Sequence, residues 1–148
     1  MASAFFTDEW AQAVREAFNT EPTEEEKADK LVMYWDWIKL AKETFTGRLA
    51  LGVLDPPGAD EPSYVVLDFT KGDCTKATVT GADGAEESSF ALAGRYDDWK
   101  AIMSGFDTNK AVMYRKLMLK QGDVFRFFDR VYYFTEALGR VARVPTSF

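Results

Sequence analysis

Hydrophobic side chains near the start of the chain follow the spacing of amphipathic helices. Apolar residues recur every four positions at Trp10, Val14 and Phe18. This spacing predicts a helix over residues 7–18. Thr23 and Glu26 then have the spacing of a capping box, in which each side chain can bond the other residue's backbone amide. We therefore expect a second helix to begin at residue 24 and to run to residue 44.

The second predicted helix carries apolar side chains around most of its circumference. One apolar stripe consists of Leu31, Tyr34, Trp35, Ile38, Ala41 and Phe45, and a second consists of Met33, Trp37 and Leu40. Only Asp36, Lys39 and the pair Lys42-Glu43 give it a polar face. Packing against one sheet needs a narrower apolar stripe than this. The helix should therefore also face another helix, a cavity or a second subunit.

The middle of the chain changes to the alternating pattern of β-strands. Strands are predicted over residues 47–54, 63–69, 74–80, 88–93 and 116–120. Gly- and Pro-containing turns such as Asp55-Pro-Pro-Gly58 separate the first four. Short turns favour antiparallel pairing of consecutive strands, so we expect a meander in a mostly antiparallel five-stranded sheet. Helices at both ends of the chain then give an α+β fold.

The last third of the chain returns to helical periodicity. Short helices are predicted over residues 96–105 and 107–114, and Asp123 is expected to cap a final helix over residues 124–141. One face of this final helix carries Val124, Phe128, Val131, Thr135 and Leu138, while Phe125, Phe127, Tyr132 and Phe134 lie beyond that face. This helix, too, has more aromatic surface than one packing contact would use.

Composition and charge narrow the class of protein. With 148 residues, 47% of them hydrophobic and 15% aromatic, the chain is expected to form one folded domain. The formal charge of −6 argues against nucleic acid as a partner. Residues 107–148 nevertheless carry eight bases and four acids. This basic excess is either a solvated surface or a docking surface for an acidic partner or an anionic lipid headgroup.

The candidate chemistry is sparse. The chain has no histidine and one cysteine, Cys74, which excludes Ser-His and Cys-His pairs, an internal disulfide and thiolate metal clusters. Neither glycine-rich phosphate-binding motif is present. We therefore expect no enzymatic activity, no cofactor and no metal site. An enzyme that uses carboxylates such as Asp36 or Asp68 in a substrate cavity is the remaining catalytic alternative.

No stretch of apolar residues is long enough for a transmembrane helix. The first residues lack the basic segment and long apolar core of a signal peptide. A soluble cytoplasmic protein of bacterial type is expected, with transient membrane contact left open.

From residue 46 to residue 141 the sequence resembles the sterol carrier protein type 2 family. Residues 99–107 are similar to that family's Trp-x-x-(Ile/Leu)-x-x-Gly motif through Trp99, Ile102 and Gly105. Residues 110–123 are similar to a second family segment through Ala111, Met113, Lys116, Leu117, Leu119 and Gly122. The order of predicted helices and strands also agrees with the family.

The resemblance implies a five-stranded sheet with an apolar tunnel under the helices. Family members bind sterols, fatty acids, acyl-CoAs or phospholipids without converting them. By motif, Met113, Leu117 and Leu119 border the tunnel and Met103 and Phe106 lie near its floor. Tyr114 and Arg115 depart from the family's pattern, and Arg115 could orient a carboxylate or phosphate head. The aromatic helices add Trp35, Ile38, Phe125, Phe128 and Tyr132 to the predicted ligand-binding residues.

We therefore expect a non-enzymatic protein that binds or transfers a hydrophobic ligand, as a monomer or homodimer. Residues 1–45 should form a helical segment packed on a carrier-like domain of residues 46–148, within one compact domain. The alternative is an interaction module, in which the aromatic helices form a dimer or dock on another protein and bind no small molecule.

Overall fold

The computed structural model describes residues 2–148. Its helices are α1 (Asp8–Asn19), α2 (Glu24–Ala28), α3 (Val32–Glu43), α4 (Ala82–Glu86), α5 (Tyr96–Met103), α6 (Thr108–Met113), α7 (Val124–Phe128) and α8 (Val131–Val141). Its strands are β1 (Ser3–Ala4), β2 (Gly47–Val53), β3 (Ser63–Thr70), β4 (Asp73–Thr80), β5 (Phe90–Gly94), β6 (Met118–Gln121) and β7 (Thr146–Ser147). The α+β class and the five main strands are confirmed.

The five main strands form one mixed sheet in the order β4-β3-β2-β5-β6. The pairs β2–β3, β3–β4 and β5–β6 are antiparallel, as predicted. The continuous meander is wrong at β5, which returns to the other side of β2 and pairs with it in parallel. Residues 82–86 cause this difference, because they form α4 rather than a turn. Helix α4 packs against β2, β3 and β5 and carries the chain across the sheet.

Alternation along the strands gives the sheet two apolar faces. Leu49, Leu51 and Leu92 point into the main core, together with residues of α1 and α8. Ala50, Ala91 and Ala93 point to the other face, where they pack with Tyr64 and with Ala85 of α4. Small side chains on that face let α4 lie close to the sheet. The larger helices cover the first face only.

The single helix predicted over residues 24–44 is wrong, because the chain forms two helices there. The Thr23 capping box begins α2 as predicted. Leu31 then has extended backbone angles, with φ −63° and ψ 148°, and interrupts the helix. The Trp35 indole Nε1 donates to the Lys27 carbonyl over 2.9 Å. This bond gives a carbonyl at the end of α2 a partner and folds α3 back against α2.

The single helix predicted over residues 124–141 is also two helices. Asp123 caps α7 as predicted, accepting hydrogen bonds from the Phe125 and Arg126 amides. Arg130, with φ −120°, separates α7 from α8. The Arg130 side chain reaches α3, where it donates to the Ala41 carbonyl. A contact distant in sequence thus stabilises the change of helix direction.

Helix α1 was predicted within one residue at each end, and Thr7 caps it. It lies against β4 and α8. Two polar contacts fix it to β4: the Asn19 amide bonds the Cys74 backbone in both directions, and Gln12 donates to the Ala77 carbonyl. Strands β1 and β7, which no sequence pattern predicted, pair in parallel and bring the two ends of the described chain together.

Candidate ligand-binding site

Helix α3 lies on the domain without burying any of its twelve residues, although most of them are apolar. Polar contacts connect it to α8. The Tyr34 hydroxyl donates to the Glu136 carboxylate, and the Tyr34 and Tyr132 ring centroids are 5.6 Å apart. The Lys30 Nζ atom lies 3.7 Å from the same carboxylate. These polar contacts, together with the half-buried Ile38 and Ala41 that pack against the main core, therefore hold this helix in place.

Arg130 makes the second connection and shows which flank of α3 faces the link between α7 and α8. Its guanidinium donates to the Ala41 carbonyl and to the Thr44 hydroxyl, the latter over 2.9 Å. Trp37 lies four residues before Ala41, and Leu40 lies four residues before Thr44. Residues four apart share one side of a helix. Trp37 and Leu40 are therefore on the flank of α3 that Arg130 approaches.

The three helices that this contact links carry exposed apolar side chains. We call this surface the apolar face, and it consists of Met33, Trp37 and Leu40 of α3, Val124, Phe125 and Phe128 of α7, and Tyr132 of α8. The three α3 members are 58–61% exposed, and Phe125 is 80% exposed. Single exposed apolar residues are ordinary, but several of them on helices joined by one contact are a candidate binding surface. It is the aromatic excess that the sequence predicted, brought to one side of the molecule.

A cavity of about 560 Å³ lies on the opposite flank of α3. We call it the Tyr133 cavity. It is lined by Glu21, Pro22, Lys27, Trp35, Asp36, Ile38, Lys39, Lys42, Glu43, Lys71, Asp73, Tyr133 and Arg140. Trp35 and Ile38 supply apolar wall, and Lys42 and Glu21 form an ion pair of 2.8 Å at its edge. The cavity therefore combines aromatic surface with charged groups of both signs.

Burial shifts the ionisation of the deeper groups in this cavity. Burial raises the pKa of the Tyr133 phenol and lowers the pKa of the Arg140 guanidinium. Glu21 behaves differently, because its hydrogen bond from Lys42 holds the pKa of the carboxyl below its ordinary value. At neutral pH the Tyr133 phenol keeps its proton and can donate a hydrogen bond to a ligand.

A second cavity, of about 650 Å³, opens between the end of α3, the sheet and α7. It is lined by Phe45, Thr46, Ser89, Phe90, Asp123, Arg126, Asp129 and Arg130. Phe45 and Phe90 form its apolar floor and belong to the main core. Two bases and two acids surround that floor, so the cavity offers no one-signed charge to a ligand.

The structure distributes the predicted ligand-binding residues over several places. Trp35 and Ile38 line the Tyr133 cavity. Phe125, Phe128 and Tyr132 belong to the apolar face. Leu117 is fully buried, and Met103, Phe106 and Leu119 pack against the main core. Met113, Tyr114 and Arg115 are exposed at the end of α6.

Arg115, which was predicted as a head-group residue, lines neither of these two cavities. Sequence reasoning missed Tyr133 and Arg140 instead. They lie seven residues apart on one side of α8, and Arg140 is a charged residue beside the buried stripe of that helix. Because charged residues are seldom buried, a base next to the apolar stripe of a helix can be recognised from the sequence as a candidate functional residue.

Within residues 2–148, no group of three or more His, Cys, Asp or Glu side chains is arranged to hold a metal ion. The two acids considered for catalysis have different surroundings. Asp68 pairs with Arg48 over 2.7 Å, and Asp36 is on the edge of the Tyr133 cavity. None of the helices in this part of the chain has the length and apolarity needed to cross a membrane.

Solved structures of other proteins share this architecture. A crystal structure of sterol carrier protein 2 superimposes with a TM-score of 0.72 and 25% sequence identity, covering 95% of this chain and 98% of that chain. The chain has the sterol carrier protein 2 fold. A solution structure from Thermus thermophilus, of a conserved hypothetical protein described as a candidate sterol carrier protein, agrees with a TM-score of 0.69 and 27% identity. That match covers 99% of this chain and 95% of the other.

No protein-family model and no curated protein matches the sequence. The resemblance predicted from the segments around Trp99 and Lys116 is nevertheless confirmed by the solved structures. Both superpositions cover nearly the whole length of this chain and of the solved structure.

Proposed function

We propose that this protein is a non-enzymatic carrier that binds one hydrophobic ligand, such as a fatty acid, acyl-CoA, phospholipid or sterol-like molecule. The observation that carries the proposal is the apolar face between α3 and α7, in a fold shared with sterol carrier protein 2. An aromatic-rich helix with no buried residue has apolar surface left for a ligand to cover.

Burial of this surface is sufficient for useful affinity. Apolar surface removed from water contributes about 25 cal/mol per Å², so an acyl chain covering about 200 Å² would contribute about 5 kcal/mol. Trp37 and Phe128 are the central side chains in this proposal because they come from the two helices that flank the Arg130 contact. The hydrophobic chain of the ligand would lie between them.

The apolar tunnel is part of the proposal. Met103, Phe106, Leu117 and Leu119 lie under the helices and are apolar, so they are proposed as its inner wall. They are packed in the structure, so the tunnel would open only when a helix moves. Helix α3 is suited to this movement since polar contacts at Tyr34 and Arg130 are exchanged for water more readily than a buried apolar face.

The same apolar face also supports the alternative, a protein-interaction or dimerisation module with no small-molecule ligand. In that case a second protein surface would cover Trp37 and Phe125 in place of an acyl chain. Obligate interfaces are rich in apolar and aromatic side chains of this kind. The two functions predict different molecules bound to the purified protein: a lipid for the carrier, and a second protein chain for the interaction module.

Native mass spectrometry of the freshly purified protein, followed by organic extraction, separates them. A monomer carrying one lipid per chain would support the carrier. An empty dimer whose Trp37 is protected from an aqueous quencher would support the interaction module. An empty monomer that also fails to take up added fatty acid would contradict both.

Substitutions on α3 and α7 refine the test. Trp37→Glu and Phe128→Glu are expected to abolish uptake of a fluorescent fatty acid, because each places a charge in the apolar face. Val32→Glu is the matched control. Val32 is also exposed on α3, but it lies five residues before Trp37 and therefore on a different side of the helix. Equal loss of uptake in the control would contradict the proposed site.

A further inference from the structure

Arg140 is a half-buried cation without a close counter-ion. Its Nε donates to the Ala17 carbonyl over 3.0 Å. Its nearest acids include Glu136, Glu26 and Glu21, yet within residues 2–148 none of them forms an ion pair with it; Glu26 pairs with Arg143 and Glu21 with Lys42. A desolvated guanidinium whose terminal Nη atoms lack a carboxylate has unused capacity for an anion.

The Tyr133 hydroxyl is the second unused donor in the same place. Tyr133 is 1% exposed, and its hydroxyl is the buried side-chain polar atom in the described chain that has no hydrogen-bond partner. Both Tyr133 and Arg140 line the Tyr133 cavity. Among the charged groups, Arg140 has the largest electrostatic effect on the pKa of the Tyr133 phenol. Buried polar groups are almost always satisfied, so an orphan hydroxyl next to a cavity indicates a missing partner.

The remaining charges of the cavity leave a positive excess. Lys42 is paired with Glu21 over 2.8 Å, and Lys39 with Glu43 over 3.9 Å. The other lining bases, Arg140 among them, outnumber the other lining acids by three to two. An anion that entered the cavity would therefore meet a net attraction.

We propose that the Tyr133 cavity is a binding site for a carboxylate or phosphate group, with the Arg140 Nη atoms and the Tyr133 hydroxyl as donors. A carboxylate or phosphate can accept hydrogen bonds from both groups at once, and a planar guanidinium binds such oxygens in bidentate geometry. Trp35 and Ile38 provide apolar wall next to the site for the carbon attached to the anion.

The assignment of this cavity to the head group of a lipid rests on the proposed carrier function. The assignment of the cavity to an anion does not depend on that function. The cavity and the apolar face lie on opposite flanks of α3. A ligand with its head at Arg140 and its chain at Trp37 would pass beneath this helix and displace the contacts that the half-buried Ile38 and Ala41 make with the main core. Free inorganic phosphate would use the same donors and leave the apolar face empty.

Two ligands that differ only in charge test the site. Decanoate and decanol are titrated calorimetrically at neutral pH, and inorganic phosphate is titrated separately while the Arg140 Nε–H signal is followed by NMR. The wild-type protein is expected to bind decanoate about tenfold more tightly than decanol, because hydrogen bonds to a charged group increase affinity by about that factor. Arg140→Gln should remove this preference and leave decanol binding unchanged.

Tyr133→Phe provides a variant that should keep its fold. It removes a hydroxyl without a partner, so the unliganded protein should be no less stable. Its decanoate affinity should nevertheless fall several-fold, which a purely structural role for Tyr133 would not produce. Arg143→Gln is the matched control, since it removes an equal charge from an exposed residue outside the cavity.

The outcomes separate the anion site from the carrier function. Equal binding of decanoate and decanol to the wild-type protein would support the carrier and overturn the anion site. Binding of phosphate at Arg140 without binding of either decanoate or decanol would support the anion site and contradict the carrier. An acid preference that persists in both Arg140→Gln and Tyr133→Phe would overturn the assignment of these residues. No response to any of the three probes would overturn both proposals.

Discussion

The Tyr34 hydroxyl donates a hydrogen bond to the Glu136 carboxylate and thereby joins α3 to α8. Burial, together with this bond to Glu136, raises the pKa of the Tyr34 phenol, so the phenol remains a donor throughout the neutral range. The Lys30 Nζ atom lies 4.5 Å from the centroid of the Tyr34 ring and adds a cation–π contact. Because α3 packs against the main core only through the half-buried Ile38 and Ala41, this small polar cluster contributes substantially to holding it.

Removal of the Tyr34 hydroxyl should therefore loosen α3 selectively. Tyr34→Phe is expected to cost about 1 kcal/mol of the free energy of unfolding and to speed amide hydrogen exchange in α3 more than in α1. Native-state hydrogen exchange measures both regions at once. Tyr96→Phe is the control, because the Tyr96 ring packs against Phe5 and Phe148 and its hydroxyl bonds no residue in the described chain. Unchanged exchange in α3 would contradict the importance of this bond.

Trp99 should be one of the most sensitive positions in the core. It is fully buried, and its indole Nε1 donates to the Gly52 carbonyl over 2.7 Å. Trp99→Phe leaves that carbonyl without its donor and creates a void, so a loss of about 3 kcal/mol is expected in chemical denaturation. Trp37→Phe, on the exposed flank of α3, should change stability by less than about 0.5 kcal/mol. Similar losses at both positions would contradict this account.

Two glycines with the same backbone angle separate strain from steric overlap. Gly105 and Gly122 both have φ of 110°, which other residues rarely adopt. A Cβ at Gly105 would meet open space, whereas a Cβ at Gly122 would lie 2.4 Å from the Ser89 carbonyl oxygen. Gly105→Ala should cost about 1 kcal/mol through strain alone. Gly122→Ala should cost at least about 1 kcal/mol more in thermal unfolding, because backbone must also move.

Cys74 should be inert to thiol reagents until the protein unfolds. Burial raises the pKa of the Cys74 thiol to about 12, so almost no thiolate exists at pH 8. Labelling with a chromogenic disulfide reagent should be slow in buffer and rapid in denaturant. Fast labelling of the native protein would show that β4 opens readily.

The same shift predicts a pH dependence of stability. A thiol whose pKa is higher in the folded state favours folding fully at pH values below its unfolded pKa of about 8.5, and this contribution is lost as the pH rises toward 12. The stability of the wild-type protein should therefore fall more steeply above about pH 8.5 than that of Cys74→Ala, which has no group to ionise. Parallel curves would contradict this prediction.

The sequence alone determined the elements whose signals are local. Alternation predicted β2, β3 and β4 within one residue, because the two faces of a strand separate every second side chain. Capping residues Thr23 and Asp123 marked the starts of two helices, since their side chains bond amides only two or three residues away. The family motifs around Trp99 then indicated the fold, which the solved structures confirm.

Only the tertiary structure decided how these elements meet. Helix periodicity continues through Leu31 and Arg130, and what interrupts the helices there are contacts between separate segments: Trp35 with Lys27, and Arg130 with Ala41. The parallel return of β5 likewise depends on α4 crossing the sheet. The Tyr133 cavity follows from these same breaks, because α3 could not face Arg140 as part of one straight helix. Periodicity records which side of an element is apolar, whereas the partner of that side is set by packing between residues far apart in the chain.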